Sequence, residues 1–168
     1  QSMVTKIYFP REVLPIAYVT AAFVNMLYCF IVVLVIVVVS GTPLNFAALT
    51  VLPLIMIIEY FMALGIAMLS SAITVYFRDL EHILGVLSMA WIHLTPVMYS
   101  LDIVPDGIKG IFMCNPMTPV IVAYRDILYY SGFPKMKTLI SAAVFAVVIM
   151  IIGFLVFDHL KKRFAEEM

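Results

Sequence analysis

IVVLVIVVV, residues 31–39, is an unbroken aliphatic run, and whether it forms strand or helix decides the fold. In water so many β-branched residues favour a strand. In a bilayer an isolated strand leaves its N–H and C=O groups unpaired, and only helices or closed barrels can cross. Followed back towards the N-terminus, the run belongs to an apolar block reaching Val13, longer than the roughly 20 helical residues a hydrocarbon core needs. The block therefore predicts a membrane-spanning helix over 13–39.

Composition supports this. Of the 168 residues 65% are hydrophobic and 12% charged, where a soluble domain has about a quarter charged. Outward from the first block, Ser40-Gly41-Thr42-Pro43 is an uncharged tight turn. A second span covers 44–69, bent by Pro53 and continuing as helix to Tyr76 or Phe77. A third covers 83–101 and holds Trp91, His93 and Pro96. A polar connection, 102–137, leads to a fourth span over 139–157, and the charged tail DHLKKRFAEEM closes the chain. The predicted fold is an all-α membrane protein, one domain of four transmembrane helices with short re-entrant or interfacial helices before the last.

Net charge is zero, so nothing points to nucleic acid. Cys29 sits in an apolar run and Cys114 in a polar connection, a pattern with no disulfide framework or metal spacing. The first block lacks a signal-peptide cleavage site and is taken as a retained span. Because the chain starts at Gln1, it is expected to be a piece of something longer. Four spans put both termini on one side. That side holds Lys6, Arg11, Arg78, Lys161, Lys162 and Arg163, against Lys109, Arg125, Lys135 and Lys137 opposite. The positive-inside rule then favours cytoplasmic termini.

Several groups stand out against the apolar background. Arg78-Asp79-Leu80-Glu81-His82 separates two spans: it is either a solvated turn or, since it has no Gly, Asn or Pro, part of a short helix over Tyr76–Leu84 suited to docking on another protein. Lys6–Glu12, with Tyr8, Phe9 and Arg11, reads as an interfacial aromatic belt or as a second contact for the same partner. In Asn115–Pro134, Pro116 and Pro119 break the entry, and Val120, Ile121, Tyr124, Ile127, Leu128 and Ser131 fall at helical spacing. That segment is too short to span. Tyr124, Tyr129 and Tyr130 read as headgroup-level tyrosines or as platforms for sugar rings. Glu59, the sole acid deep in a span, faces a watery path or bonds a neighbouring helix, with His93 or Asn25 as partner. Pro96 frees a carbonyl that Thr95 or a neighbouring chain must satisfy. Gly65, Ala67, Gly85, Ala142 and Ala146 permit close helix approach. There is no GxxxxGK[ST] loop, acid pair, triad or metal cluster in the sequence, so no catalytic or metal-binding residue is expected.

Four blocks, KIYFPREVLPIA (6–17), SAITVYFRDLEHIL (71–84), TPVMYSLDIVP (95–105) and NPMTPVIVAYRDILYYSGFP (115–134), resemble the membrane subunit of bacterial ABC transporters that export O-antigen, teichoic acid or capsule. The resemblance implies a permease in the bacterial inner membrane with a cytoplasmic C-terminus, working as two copies with two separate ATP-binding subunits. ATP and Mg would sit on those subunits, with no cofactor on this chain, and the cargo would be lipid-linked polysaccharide. It implies cytoplasmic coupling segments at 1–12 and 76–83, with Tyr8, Phe9, Arg11, Glu12, Tyr76, Phe77, Arg78, Asp79, Glu81 and His82 facing the ATPase. It further implies an extracytoplasmic gate within 102–137, using Asn115, Pro116, Pro119, Tyr124, Arg125, Tyr129 and Tyr130. Glu59 and His93 remain as intramembrane polar groups. Such permeases have six spans and an interfacial helix, of which about two spans and that helix are not in this chain. A drug-efflux permease and a non-transporting scaffold are the alternatives.

Overall fold

A computed structural model of the chain describes residues 12–74, 77 and 79–166. Seven helices occur among them: α1 (Val13–Val39), α2 (Phe46–Leu49), α3 (Leu52–Thr74), α4 (Leu80–Leu94), α5 (Asp106–Cys114), α6 (Met117–Leu128) and α7 (Met136–Glu166), with one 3₁₀ turn at Leu101–Ile103. The aliphatic run 31–39 is the last part of α1. It is followed by a turn in which Gly41 takes φ +68°, a left-handed conformation glycine adopts without steric cost.

Among the described residues, three helical segments are long and apolar enough to cross a membrane: Val13–Val39, Phe46–Thr74 and Met136–Leu160. The second is α2 and α3 taken together, and the bend expected at Pro53 is a full break. Proline has no N–H to continue the ladder from α2, so the helix stops at Leu49 and restarts at Leu52. Asn45 caps α2, its Oδ1 accepting from the N–H groups of Ala47 and Ala48 at 3.1 and 3.3 Å, and Thr50 Oγ1 donates back to the Ala47 carbonyl at 2.7 Å.

The third expected span is shorter than its hydropathy suggests. α4 has 15 residues, a rise of about 22 Å against a hydrocarbon core of about 30 Å, and it ends at Leu94 rather than Leu101. Pro96 is the cause. A residue before proline is driven out of the helical region, and Thr95 is extended at φ −102°, ψ 130°. The chain nevertheless reverses direction here. α3 and α7 pack in parallel: Gly65 lies against Gly153, and further along both helices Met68 and Ala72 lie with Phe157. A chain leaving α3 at one face must return before entering α7, and α4 makes that return.

The α3–α7 seam is the tightest packing in the molecule. A Cβ built on Gly65 would lie 2.7 Å from the Met150 backbone, and one built on Gly153 would penetrate the Gly65 carbonyl. Ala142 and Ala146 extend the contact into a cluster with Leu52, Ile55, Met56 and Met62 of α3 and Val120, Ala123, Tyr124 and Ile127 of α6. Without a hydrophobic drive between helices in lipid, such close small-residue approach is what associates them. α1 is held more lightly, by a 3.0 Å hydroxyl–hydroxyl bond between Thr20 and Tyr60 and an edge contact of Phe23 with the Tyr60 ring.

Candidate functional site

Two regions carry the polar residues that the apolar spans lack. The first is the elbow between α3 and α4. Phe77 is exposed, its N–H donating to Ile73 C=O at 3.1 Å, and Leu80 N–H returns to the Phe77 carbonyl at 3.0 Å. Asp79 sits at the N-terminal boundary of α4, and the Ile83 N–H bonds its carbonyl at 3.2 Å. Leu80, Glu81 and His82 thus belong to the first turn of α4 and not to a separate short helix. Asp79 and His82 are exposed, and an acid at this end suits the positive pole of the helix. Glu12 immediately precedes α1. Tyr8, Phe9, Arg11, Tyr76 and Arg78 lie outside the described residues.

The second region is at the far end of the bundle, where α4 stops. Non-helical backbone at membrane depth is tolerated only where its polar groups are satisfied by protein or water. Here α6 and its flanks supply the partners. The Asn115 amide nitrogen donates to the Leu94 carbonyl at 3.2 Å and to Thr95 Oγ1 at 2.8 Å, while its oxygen accepts from Met117 N–H at 3.0 Å at the start of α6. Arg125 Nη2 donates to the Pro96 carbonyl at 2.7 Å and the Val97 carbonyl at 3.2 Å. Thr95 Oγ1 donates to the Trp91 carbonyl at 2.8 Å, and the Tyr99 hydroxyl to the His93 carbonyl at 2.6 Å. Thr118 Oγ1, fully buried, ties α5 to α6 through the Phe112 carbonyl at 2.6 Å. The carbonyls around the end of α4, those of Trp91, His93, Leu94, Pro96 and Val97, are thus met by Thr95, Tyr99, Asn115 and Arg125.

Glu59 bonds neither His93 nor Asn25. Its Oε2 accepts from the Tyr124 hydroxyl at 2.6 Å, and Phe30 of α1 leans on the Tyr124 ring at 5.0 Å. Both expected alternatives are exposed side chains, unsuited to partnering a half-buried acid. Tyr124 itself is buried and so is neither a headgroup anchor nor a sugar platform. It locks α6 to α3.

Of the seven gate residues expected from the sequence, Pro119, Arg125 and Tyr130 line a cleft of about 560 Å³ between α6, the start of α7 and the turn after α4. Asn115 and Tyr124 are buried in the packing beneath it, Pro116 sits at the N-terminal boundary of α6, and Tyr129 is exposed with its ring edge-on to Tyr130 at 5.0 Å. The cleft also brings in Asp126, Lys135 and Lys137. Burial raises the Asp126 carboxyl above its ordinary range, while Lys135 and Arg125 act in the opposite direction. The turn closing α6 is fixed by Ser131, at φ 53°, whose hydroxyl bonds the Pro43 carbonyl in the α1–α2 turn. Lys135 and Lys137 carried no sequence signal for this cleft, since a loop lysine is unremarkable until the fold gathers it.

Long apolar helices joined by a polar segment mark a multi-pass membrane protein. The chain belongs to the ABC-2 type transporter family, whose model matches residues 2–129. It is 27% identical over 164 residues to the O-antigen export system permease protein RfbA of Klebsiella pneumoniae, covering 98% of this chain and 63% of that protein. With the protein of the same name from Myxococcus xanthus it shares 29% identity over 168 residues, covering 99% of this chain and 64% of the relative. The chain thus spans less than two thirds of the length of the curated relatives it matches.

Proposed function

We propose that this chain is part of the transmembrane permease subunit of an ATP-driven exporter that moves lipid-linked polysaccharide, of the O-antigen, teichoic acid or capsule type, across the bacterial inner membrane. The observation that carries this reading is the match of nearly the whole chain to permeases named for O-antigen export. The working unit is two copies of the permease with two separate ATP-binding subunits. Those subunits hold ATP and Mg and perform the hydrolysis, while this chain has no catalytic site and binds no cofactor. Its termini and the elbow lie in the cytoplasm, and the cleft lies outside.

In this arrangement the segments 1–12 and 76–83 receive the movement of the ATPase, with Phe77, Asp79 and His82 exposed to meet it. α3 runs from the elbow to Glu59 without a break, and Glu59 is bonded to Tyr124 of α6. A push at the elbow therefore reaches the outer segment along one helix and one hydrogen bond, and widens the path between the two copies.

Complementation of a strain lacking the gene tests the reading. Restored surface polysaccharide, lost again when Arg78 and Asp79 are charge-reversed along with ATPase co-purification, is the expected result. Normal polysaccharide in the deleted strain, with altered drug sensitivity, would favour an efflux permease. Charge-reversed protein that keeps full ATPase coupling would favour a scaffold.

A further inference from the structure

We propose that the groove between α1 and α3 binds a lipophilic ammonium ion, its cationic nitrogen held at Glu59 and its apolar body lying along the groove. The site goes beyond the export reading and does not depend on it.

The groove has a volume of about 490 Å³ and is walled by Phe23 and Met26 of α1 and by Glu59, Tyr60 and Ala63 of α3. That is the size of a site for one small organic molecule. Ala22, Ala63 and Ile66 along it are exposed, so it is reached sideways from the bilayer. Glu59 lies near the middle of the Phe46–Thr74 segment. A hydrated ion or a lipid headgroup does not reach that depth, and the occupant must carry enough apolar surface to enter hydrocarbon.

The polar atoms fixed at this wall are hydrogen-bond acceptors. Glu59 Oε2 is taken by the Tyr124 hydroxyl at 2.6 Å. Its other oxygen, Oε1, has no partner among the described residues and is not buried, so it remains open on the groove that Glu59 lines. Thr20 Oγ1 spends its proton on the Ile16 carbonyl at 2.7 Å, and the 3.0 Å bond between Thr20 and Tyr60 therefore uses the Tyr60 proton. The Tyr60 oxygen is left with lone pairs only. The rings of Phe23 and Tyr60 meet edge to face at 5.1 Å, and an aromatic face is electron-rich and attracts a cation.

Against these acceptors the protein sets no cation. Among the described residues the groove wall has no Lys, Arg or His, and Glu59 has no ion pair. An acid at membrane depth needs a partner, commonly one of opposite charge. Tyr124 supplies one hydrogen bond, and the counter-charge is left to a ligand. A neutral hydrocarbon would leave Oε1 unmet, and an anion would be repelled. A protonated alkylamine donates its N–H to Oε1 and lays its chain against Phe23, Met26 and Ala63.

The test uses the complete permease with its ATP-binding partner in phosphatidylcholine nanodiscs, without nucleotide. Equilibrium dialysis measures N,N-dimethyldodecylamine bound in excess of protein-free nanodiscs, with uncharged N,N-dimethyldodecanamide as the comparison. The unaltered complex should hold the amine and not the amide. Binding should weaken about tenfold or more in E59Q, which keeps an acceptor for Tyr124 but loses the charge. It should weaken as much in A63F, which keeps the carboxyl and fills the groove, and stay within about twofold in D106N, whose acid is an exposed surface group. Amine binding unchanged in E59Q or in A63F, or equal binding of the amide, overturns the site. No excess over protein-free nanodiscs, as a further helix or a second copy lying in the groove would give, overturns it too. The assay needs neither ATP turnover nor polysaccharide, so its outcome and that of the export reading are separate.

Discussion

The α3–α7 seam and the α4 helix are held in place by opposite means. α3 and α7 are fused by backbone-to-backbone approach at Gly65 and Gly153, with alanines on either side. Among the described side chains of α4 none is buried, and Val86 and Met89 are among the more exposed large hydrophobic residues. What fixes α4 is its far end, where Asn115 holds the Leu94 carbonyl and Arg125 the Pro96 and Val97 carbonyls just beyond it. The seam is positioned by shape and α4 by hydrogen bonds, so substitutions should hurt them in different ways.

The largest effect is expected from Gly153→Leu. The added side chain must displace the Gly65 backbone, and overpacking typically costs about 1–3 kcal/mol or more; thermal unfolding of the purified permease in detergent should show loss of the folded state. A fully folded G153L protein would mean the seam is looser than described. Asn115→Ala comes next. It leaves the Leu94 carbonyl and the Met117 N–H without their partner, at about 1–3 kcal/mol, and a midpoint unchanged from the unaltered protein would show that α4 is held by something else. Tyr124→Phe removes one intramembrane hydrogen bond, a change that averages about 0.6 and reaches about 1.7 kcal/mol. Its midpoint should fall less than that of N115A, and the drop should vanish in a Glu59→Ala background. Val86→Ala on the exposed face of α4 should stay within about 0.5 kcal/mol in the isolated permease, and a larger cost there would reveal a packing partner for that face. The smallest effect is that of Asp106→Asn. Lys109 holds the Asp106 carboxyl below its ordinary range, so the pair's contribution is complete above that ordinary value and is lost as pH falls through the lowered one. The Asp106 side chain stands in solvent and Lys109 is only partly covered. So exposed a pair contributes little at pH 7, and D106N should unfold indistinguishably from the parent.

Much of this architecture was legible in the sequence. Apolar blocks of bilayer length announced the long helices, and the spacing of Val120, Tyr124 and Ile127 announced α6, whose buried face includes those residues. The shortness of α4 was legible in principle, because Thr95-Pro96 is a stop signal, but continued hydropathy through Val97 and Met98 masked it. Gly153 was passed over. A single glycine in an aliphatic run says nothing until the glycine opposite is known, and Gly65 lies far away along the chain. The partner of Glu59 was hidden for the same reason: hydropathy marks a buried acid and does not say which hydroxyl will reach it. The cleft was the least legible feature. Its lysines come from a stretch that reads as an ordinary polar loop, and only the parallel placement of α3 and α7 brings that loop over α6.

That parallel placement has a bearing on biogenesis. Ribosome-driven insertion delivers α3 to the lipid well before α7 is synthesised, so the glycine face of α3 waits without its mate, and Glu59 waits without Tyr124. A carboxylate stranded in hydrocarbon is disfavoured by a few kcal/mol. The nascent chain must therefore shelter it, beside the translocon or against an earlier helix, until α6 brings Tyr124 to meet it.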